Sequence, residues 1–218
     1  MQTLKTSAAR EKILGKIRNG LSTAKLPMPF PEVERNDADV YAATHLSADE
    51  LFAEEFIKLG GKFVFCANEQ ELLDSIHSLA DSRGWKQVLC AEKKLLSLFQ
   101  NNKLSFIEPS NQANESADAC ITICEALVAR TGSVILSSKQ HDGRTAPVFY
   151  PVHIIIAYQQ QLVNDIRDSI HFIKKKYGTE LPSMINLNTG PSRTADIEKT
   201  LVVGVHGPGE VFCFYVHV

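Results

Sequence analysis

KFVFCANEQELLDSIHSLADSRGWKQVLC, residues 62–90, is the stretch that decides the fold class of this chain. Residues 62–66 and 88–90 are short apolar runs, which is typical of buried β-strands. Between them the apolar side chains recur at helical spacing, as Leu72, Leu73, Ile76 and Leu79. The pattern predicts a helix over residues 69–83 between two strands. A crossover helix of this kind joins parallel strands of one sheet.

The same alternation extends in both directions. Ser47 and Glu50 have the spacing of a capping box, so a helix is predicted to begin at Ser47 and to end at Leu59, before Gly60-Gly61. Further helices are predicted at 92–100 and 164–177, and further strands at 104–107, 119–124, 133–137, 152–158, 184–187 and 211–216. We therefore expect an α/β domain with a mixed, mainly parallel sheet flanked by helices, and ligand-binding loops at the C-terminal ends of its strands.

The N-terminal region has a different character. Residues 7–21 place apolar side chains at four-residue spacing, which predicts an amphipathic helix. Residues 25–31 contain three prolines, which exclude a helix. The expected organisation is a helical arm with a Pro-rich linker over residues 1–46 and an α/β domain over 47–218. The sequence leaves open whether the arm packs on its own domain or on another subunit.

Composition limits the classes of function. The 218 residues are 44% hydrophobic and 22% charged, with a net charge of -2, as in ordinary globular proteins. This charge gives no reason to expect a nucleic-acid partner. No apolar run is long enough to span a bilayer, and the N-terminus lacks the apolar core of a signal peptide. We therefore expect a cytoplasmic protein without a membrane span.

The cysteines are predicted to be reduced core residues. There are five, in a scattered arrangement, namely Cys66, Cys90, Cys120, Cys124 and Cys213. No CxxC or ferredoxin-like spacing is present, so we expect this chain to hold neither an iron–sulfur cluster nor a metal. The sequence does not establish whether Cys120 and Cys124 face each other.

The segment NTGPSRTADIEKTLVVGVHGP, residues 188–208, is the first candidate site. Its first turn is predicted to precede a helix from Thr194 to about Lys199, whose backbone N–H groups would favour an anion. Arg193 would grip a carboxylate or phosphate. The predicted binding residues are Gly190, Pro191, Ser192, Arg193, Thr194 and Asp196 in the first turn and Gly207 in the second. The alternative is a well-capped turn in which Arg193 pairs with Asp196 or Glu198.

Two other places carry candidate groups, the first for substrate or anion binding as well as for catalysis. The turn Thr131-Gly132-Ser133 offers two hydroxyls and a close backbone approach, and Glu125 upstream is a candidate acid–base group or an ionic partner of Arg130. His153, at the start of a predicted strand, and His206, in the second turn, are candidates for proton transfer. Gly132, Gly190 and Gly207 all follow or precede predicted strands, which would bring them to one cleft.

Three segments resemble the lactate utilization protein C family, which has the LUD domain. They are ARTGSVILSS (residues 129–138), YPVHIII (150–156) and TGPSRTADIEKTLVVGVHGPGE (189–210). The resemblance begins at AAREKILGKIR (8–18) and covers nearly the whole chain. It implies the fold shared by ribose-phosphate isomerase, glucosamine-6-phosphate deaminase and CoA-transferases.

The resemblance also implies a function, the oxidation of L-lactate to pyruvate together with two partner proteins that carry iron–sulfur clusters. It implies no cofactor in this chain. The family motif positions fall on residues 131–133, His153, 190–196 and 206–208. One departure is Arg130, because family members commonly carry Glu at this position. Glu125 would replace that acid only if it turns inward.

Three functional hypotheses remain. The first is an accessory or substrate-binding subunit in which Arg193 holds the carboxylate of lactate or pyruvate. The second is a stand-alone isomerase or CoA-transferase-like enzyme for a phosphosugar or acyl-CoA, with Glu125 as base or nucleophile. The third is a non-catalytic interaction module that docks a partner through the N-terminal helix. The oligomeric state stays open, and a homo-oligomer is compatible with the sequence.

Overall fold

A computed structural model describes residues 7–22, 44–110, 116–140, 146–195 and 201–217. The chain divides into two units, Met1–Thr44 and His45–Val218. In the first unit, α1 (Ser7–Ser22) is the predicted amphipathic helix, and its apolar residues Ile13, Ile17 and Leu21 are exposed. The predicted Pro-rich linker lies outside the described residues.

The second unit contains the α/β domain. Its helices are α2 (Ala48–Lys58), α3 (Glu69–Arg83), α4 (Lys93–Asn101), α5 (Ala146–Phe149) and α6 (Ile166–Tyr177). Its strands are β1 (Lys62–Cys66), β2 (Val88–Cys90), β3 (Ile107–Pro109), β4 (Ala119–Ile123), β5 (Ala126–Val128), β6 (Ser133–Ser137), β7 (Val152–Tyr158), β8 (Leu162–Val163), β9 (Ile185–Asn188), β10 (Arg193–Ala195), β11 (Leu201–Val203) and β12 (Glu210–Val216).

The central sheet has six parallel strands in the order β1–β12–β7–β4–β2–β3. Its inner strands read as continuous apolar runs because both faces of the sheet are covered. Ile154 and Ile156 on one face pack with α3 and α4. The predicted α/β fold with a mainly parallel sheet flanked by helices is confirmed.

The other face of the central sheet packs on α2 and on a second sheet. Ile155 and Tyr215 contact Phe52 and Phe56 of α2 in this part of the core. The second sheet has the order β8–β5–β6–β9, and β6 is antiparallel to both of its neighbours. Helix α6 covers its outer face, where Ile173 packs on β5 and β6. The sequence predicted one sheet, because β5 and β8 are too short to give a pattern of their own.

The capping box at the start of α2 is confirmed. The carboxylate of Glu50 accepts hydrogen bonds from the Ser47 backbone N–H (2.9 Å) and the Ser47 hydroxyl (2.7 Å). The helix ends at Lys58, and Gly60 follows with a φ of +89°. This positive φ favours glycine and stops the helix where the sequence predicts.

Two predicted elements were wrong. The strand expected at 104–107 lies instead at Ile107–Pro109, because residues 102–106 form a turn in which Lys103 has a φ of +64°. The helix expected from Thr194 is also wrong. Residues 193–195 form β10, which pairs antiparallel with β11, so Arg193 lies opposite Val203. The β-branched residues of β11 favour this extended pairing over a helical turn.

All five cysteines are buried as reduced thiols, as the sequence predicts. Burial raises the pKa of the Cys66 thiol to about 11, so it is protonated at neutral pH. Among the described residues, no group of three or more His, Cys, Asp or Glu side chains is arranged to hold a metal ion. The described helices include none that is long and apolar enough to cross a membrane.

Candidate functional site

A cavity of about 240 Å³ lies between the two sheets, beside the first residues of β7 and β12. Its walls are Phe56, Val134, His153, Ile155, Leu187, Asn188, Thr189, Gly190, Pro191, Ser192, Pro208 and Val211. The structure thus brings His153 together with Gly190, Pro191 and Ser192. The cavity lies at the N-terminal end of the parallel strands, whereas the sequence led us to expect binding loops at their C-terminal ends.

His153 is the buried ionisable group of the cavity wall. It is the second residue of β7, and its side chain is 1% exposed. Its Nε2 atom lies 2.8 Å from the Oγ1 atom of Thr122 on the neighbouring strand β4. Burial lowers the pKa of His153 to about 4. The imidazole is therefore neutral at pH 7 and acts as a hydrogen-bonding group rather than as a cation.

The loop after β9 forms the opposite wall. The Ser192 N–H donates to the Pro208 carbonyl oxygen (3.0 Å), and the Gly204 N–H donates to the Ser192 carbonyl oxygen (2.9 Å). These bonds join the two turns of the candidate segment. Gly190 has a φ of +78°, and a Cβ there would lie 2.9 Å from the Leu59 carbonyl oxygen. Glycine is required by the backbone and by this close approach to α2.

The Thr-Gly-Ser turn reaches the cavity indirectly. Ser133 is fully buried, and its Oγ lies 2.9 Å from Oγ1 of Thr189 in the cavity wall. Gly132 has a φ of +57°, and a Cβ there would lie 2.5 Å from the backbone nitrogen of Phe56. Gly132 therefore allows α2 to pack closely, with Phe56 against the cavity. The Thr131 hydroxyl oxygen is buried without a hydrogen-bond partner in the described structure.

Arg193 differs from its predicted place. Its guanidinium donates a hydrogen bond to the carbonyl oxygen of Leu59, at the C-terminal end of α2, and Arg193 does not line the cavity. A helix C-terminus carries partial negative charge and favours a cation. Arg193 therefore holds the end of α2 rather than an anion in the cavity. Its predicted alternative partners, Asp196 and Glu198, lie outside the described residues.

Thr194, His206 and Gly207, which the sequence also predicted for the site, do not line the cavity. Thr194 belongs to β10. His206 is exposed and Gly207 is half-buried, in the turn that precedes β12. Asp196 lies outside the described residues. Of the three glycines expected at one cleft, Gly190 lines the cavity, whereas Gly132 and Gly207 do not.

Glu125 belongs to a separate network within the second sheet. Its side chain is fully buried, and Oε1 accepts hydrogen bonds from the Ser137 hydroxyl (2.6 Å) and the Tyr177 hydroxyl (2.7 Å). Oε2 accepts a bond from Lys176 Nζ (2.7 Å). Burial raises the pKa of Glu125, but the three hydrogen bonds outweigh it, so the pKa is lowered and the carboxylate is ionised.

This network corrects the predicted ionic partner of Glu125. Lys176 of α6 supplies the positive charge, whereas Arg130 forms an ion pair with Asp165 at the N-terminus of α6. Glu125 does turn inward, but it does not line the cavity. With both oxygens occupied by protein donors, it joins α6 to the second sheet.

Sequence reasoning missed Thr122 and Phe56. Thr122 is a single hydroxyl residue within the apolar, buried strand β4. Such a lone hydroxyl in a buried strand needs a partner, which is the one signal that could have identified it. Phe56 follows the apolar face of α2 and carries no signal of a site. Its place at the cavity depends on tertiary packing against Gly132.

The cavity combines apolar walls with a few hydrogen-bonding groups. Phe56, Leu187 and Val211 supply apolar surface, and His153 and Ser192 supply polar atoms. This combination is typical of sites for small organic molecules. The fold and the cavity together define an α/β protein with a partly apolar cavity between its six-stranded and four-stranded sheets.

Sequence comparison identifies the family. A sequence model of the LUD domain matches residues 50–216, so the chain belongs to the LUD domain family. Among its relatives is the lactate utilization protein C of Bacillus licheniformis, which is 39% identical over 99 residues, covering 44% of this chain and 41% of that protein. The protein of the same name from Anoxybacillus flavithermus is 28% identical over 152 residues, covering 65% of this chain and 68% of that protein. The resemblance to this family is confirmed.

Structural comparison supports the fold. The crystal structure of a DUF162 family protein from Deinococcus radiodurans superposes with a TM-score of 0.56 at 20% sequence identity. The match covers 78% of this chain and 99% of that chain. At this identity the likeness concerns the fold alone.

Proposed function

We propose that this chain is a substrate-binding or accessory subunit of a cytoplasmic system that oxidises L-lactate to pyruvate. Its membership of the LUD domain family and its relatives called lactate utilization protein C support this role. The observation that carries the proposal is the cavity in which His153 meets the loop of residues 188–192, because both belong to segments that resemble that family.

The ligand would be a small carboxylate, L-lactate or pyruvate. In place of the expected grip by Arg193, the carboxylate or the neighbouring oxygen would receive hydrogen bonds from His153 and from the hydroxyls of Thr189 and Ser192. The methyl group would contact the apolar walls. Neutral hydrogen-bond donors in a partly apolar pocket give orientation and specificity to a ligand of this size.

The redox step would be shared with partner proteins. Oxidation of lactate to pyruvate removes two electrons and two protons, and iron–sulfur clusters in the partners would accept the electrons. In this chain, His153 would contact the ligand. The alternative of a stand-alone isomerase or CoA-transferase-like enzyme would require Glu125 to reach a substrate, but its carboxylate is enclosed by Ser137, Lys176 and Tyr177.

Calorimetric titration of the purified protein tests the ligand. L-lactate or pyruvate should bind the wild type, and His153→Gln should weaken binding at least about tenfold through loss of a buried hydrogen bond. His171→Gln is the matched control, because His171 is exposed on α6, and it should bind as the wild type does. Failure of both acids to bind, or unchanged binding by His153→Gln, would contradict the proposal. Binding of a phosphosugar or acyl-CoA instead would favour the stand-alone enzyme.

Co-purification tests the partners. The full chain should retain iron–sulfur partner proteins that are expressed together with it, and a variant that lacks residues 1–24 should lose them if α1 is the docking element. Helix α1 is suited to this because Ile13 and Leu21 are 59% and 82% exposed. Retention by the truncated chain would place the docking surface elsewhere. If the full chain retains no iron–sulfur protein, the proposed assembly with such partners would be contradicted.

A further inference from the structure

The hydrogen bond between Thr122 and His153 determines which ring nitrogen of His153 can contact a ligand. This inference rests on the proposed function, in which the cavity binds a small carboxylate. The two side chains project from neighbouring parallel strands, β4 and β7, and each is 1% exposed. Their polar atoms, Oγ1 of Thr122 and Nε2 of His153, are 2.8 Å apart. Because Nε2 is used by Thr122, the nitrogen that remains for a ligand is Nδ1.

The direction of this hydrogen bond follows from counting donors. The threonine hydroxyl has one proton, and the described structure gives it no acceptor other than His153. If Nε2 carried the ring proton and donated to Thr122, the hydroxyl proton would be buried without an acceptor. Leaving a buried donor unsatisfied is costly, whereas an oxygen lone pair is more easily left unused.

The opposite arrangement leaves no buried donor unsatisfied. The Thr122 hydroxyl donates to the lone pair of Nε2, and the ring proton resides on Nδ1. His153 lines the cavity, and its Nδ1 atom is not among the fully buried atoms that lack a partner, so the Nδ1–H group is available to an acceptor there. We infer that Thr122 is a positioning residue that fixes His153 as the Nδ1–H tautomer, so that the cavity presents an N–H donor to an oxygen atom of its ligand.

This assignment deepens the proposed function. It names the ligand group that His153 contacts as a hydrogen-bond acceptor, such as a carboxylate or keto oxygen, and not a hydroxyl proton. A fixed neutral donor can hold such an oxygen without a buried cation, whose desolvation would be costly. Arg193, which the sequence suggested for this task, binds the carbonyl oxygen of Leu59 instead.

Nitrogen NMR of protein labelled with ¹⁵N-histidine tests the tautomer without any ligand. Long-range correlations between ring carbon-bound protons and the ring nitrogens distinguish the Nδ1–H from the Nε2–H form, and loss of the signals in His153→Gln identifies His153 among the seven histidines. At pH 7 the wild type and Thr122→Ser should show the Nδ1–H pattern. Thr122→Val, which keeps the side-chain shape but lacks the hydroxyl, should lose it.

The outcomes decide the inference. An Nε2–H pattern or a charged ring in the wild type would overturn it, as would an unchanged Nδ1–H pattern in Thr122→Val. If Thr122→Val does not fold, the wild-type and Thr122→Ser spectra still decide which nitrogen carries the proton.

Pyruvate titration of the same variants then separates this inference from the proposed function. Thr122→Val should bind pyruvate about tenfold more weakly, and Thr122→Ser should bind within about twofold of the wild type. Equal binding by all three would contradict a positioning role. If pyruvate and L-lactate do not bind the wild type, the proposed function fails, whereas the NMR pattern still tests the tautomer.

Discussion

Strand β6 carries a fully buried serine at each end, and the two ends differ in what they support. At one end, Ser133 lies 2.9 Å from Thr189, which forms part of the cavity wall. At the other end, Ser137 donates to Glu125, whose carboxylate also accepts from Lys176 and Tyr177. A buried serine therefore supports the cavity wall at one end of β6. At the other end it belongs to a hydrogen-bond network in which both oxygens of Glu125 are occupied.

The difference shows which buried ionisable group marks a site. Glu125 is fully buried and ionised, but each of its oxygens accepts a hydrogen bond from the protein. His153 is as deeply buried, yet among the described residues its side chain has a hydrogen-bond partner at Nε2 alone, and its ring lines a cavity. A buried polar group with unused hydrogen-bonding capacity beside a cavity is a candidate for ligand binding, whereas a saturated one is structural.

The largest effect is expected at Gly132, where the turn before β6 packs closely against α2. Gly132 immediately precedes the strand, and Gly132→Ala would place a Cβ 2.5 Å from the backbone of Phe56 at a φ of +57°. We expect a loss of about 4 kcal/mol in the free energy of unfolding. Gly84→Ala is the control, because its φ is +65° but its surroundings are open, and it should cost about 1 kcal/mol. Equal losses in urea unfolding would show that α2 does not pack this closely.

Acid should destabilise the folded protein through His153 in the cavity wall. Burial lowers the pKa of His153 from 6.5 to about 4, so the unfolded chain takes up this proton more readily than the folded one. The free energy of unfolding should therefore fall by about 3 kcal/mol through this residue as the pH drops from 6.5 to 4. Above pH 6.5 the titration of His153 should have no effect on stability. Urea unfolding across this range should show a correspondingly smaller loss for His153→Gln. Identical acid sensitivity of the two proteins would mean that His153 is not buried as described.

A substitution in the hydrogen-bond network around Glu125 should lower the stability of the protein and leave ligand binding unchanged. Ser137→Ala removes a hydrogen bond to the buried carboxylate of Glu125, which should lower the free energy of unfolding by about 2 kcal/mol. Pyruvate binding should stay within about twofold of the wild type, because Ser137 does not line the cavity. Denaturant unfolding and calorimetry measure the two quantities. A large loss of binding with little loss of stability would place the site at Glu125 instead.

A substitution at Ser133, beside the cavity wall, should weaken ligand binding more than it lowers stability. Ser133→Ala removes a hydrogen bond between two neutral hydroxyls, so we expect a loss of only about 1 kcal/mol in stability. Because Thr189 then loses its partner in the cavity wall, pyruvate affinity should fall about threefold to tenfold. Unchanged affinity in Ser133→Ala would separate the Thr-Gly-Ser turn from the site.

Much of the fold could be predicted from local pattern. The bounds of β1, α3, β2, β6 and β7 agree with the sequence predictions, because apolar periodicity and flanking turn residues define them. The division of the main strands into a six-stranded and a four-stranded sheet could not be predicted. It depends on pairings between strands distant in sequence, such as β6 with β9, and on β8, which has two residues.

The candidate site was only partly predictable. His153 and the loop at Gly190 meet at the cavity, as their residue types suggested. Glycine and arginine are residue types that often form anion sites, but Gly132 and Arg193 both contact α2. Sequence alone does not show whether such a residue contacts a ligand or a neighbouring helix. Thr122 was not foreseen, because its importance depends on the register between β4 and β7.

A crystal structure of the protein with pyruvate would test the central claim most directly. We predict that pyruvate occupies the cavity between the two sheets, with a carboxylate or keto oxygen about 3 Å from Nδ1 of His153 and with Glu125 still bound to Ser137, Lys176 and Tyr177. Pyruvate bound at Glu125, or bound elsewhere with the cavity empty, would contradict the account.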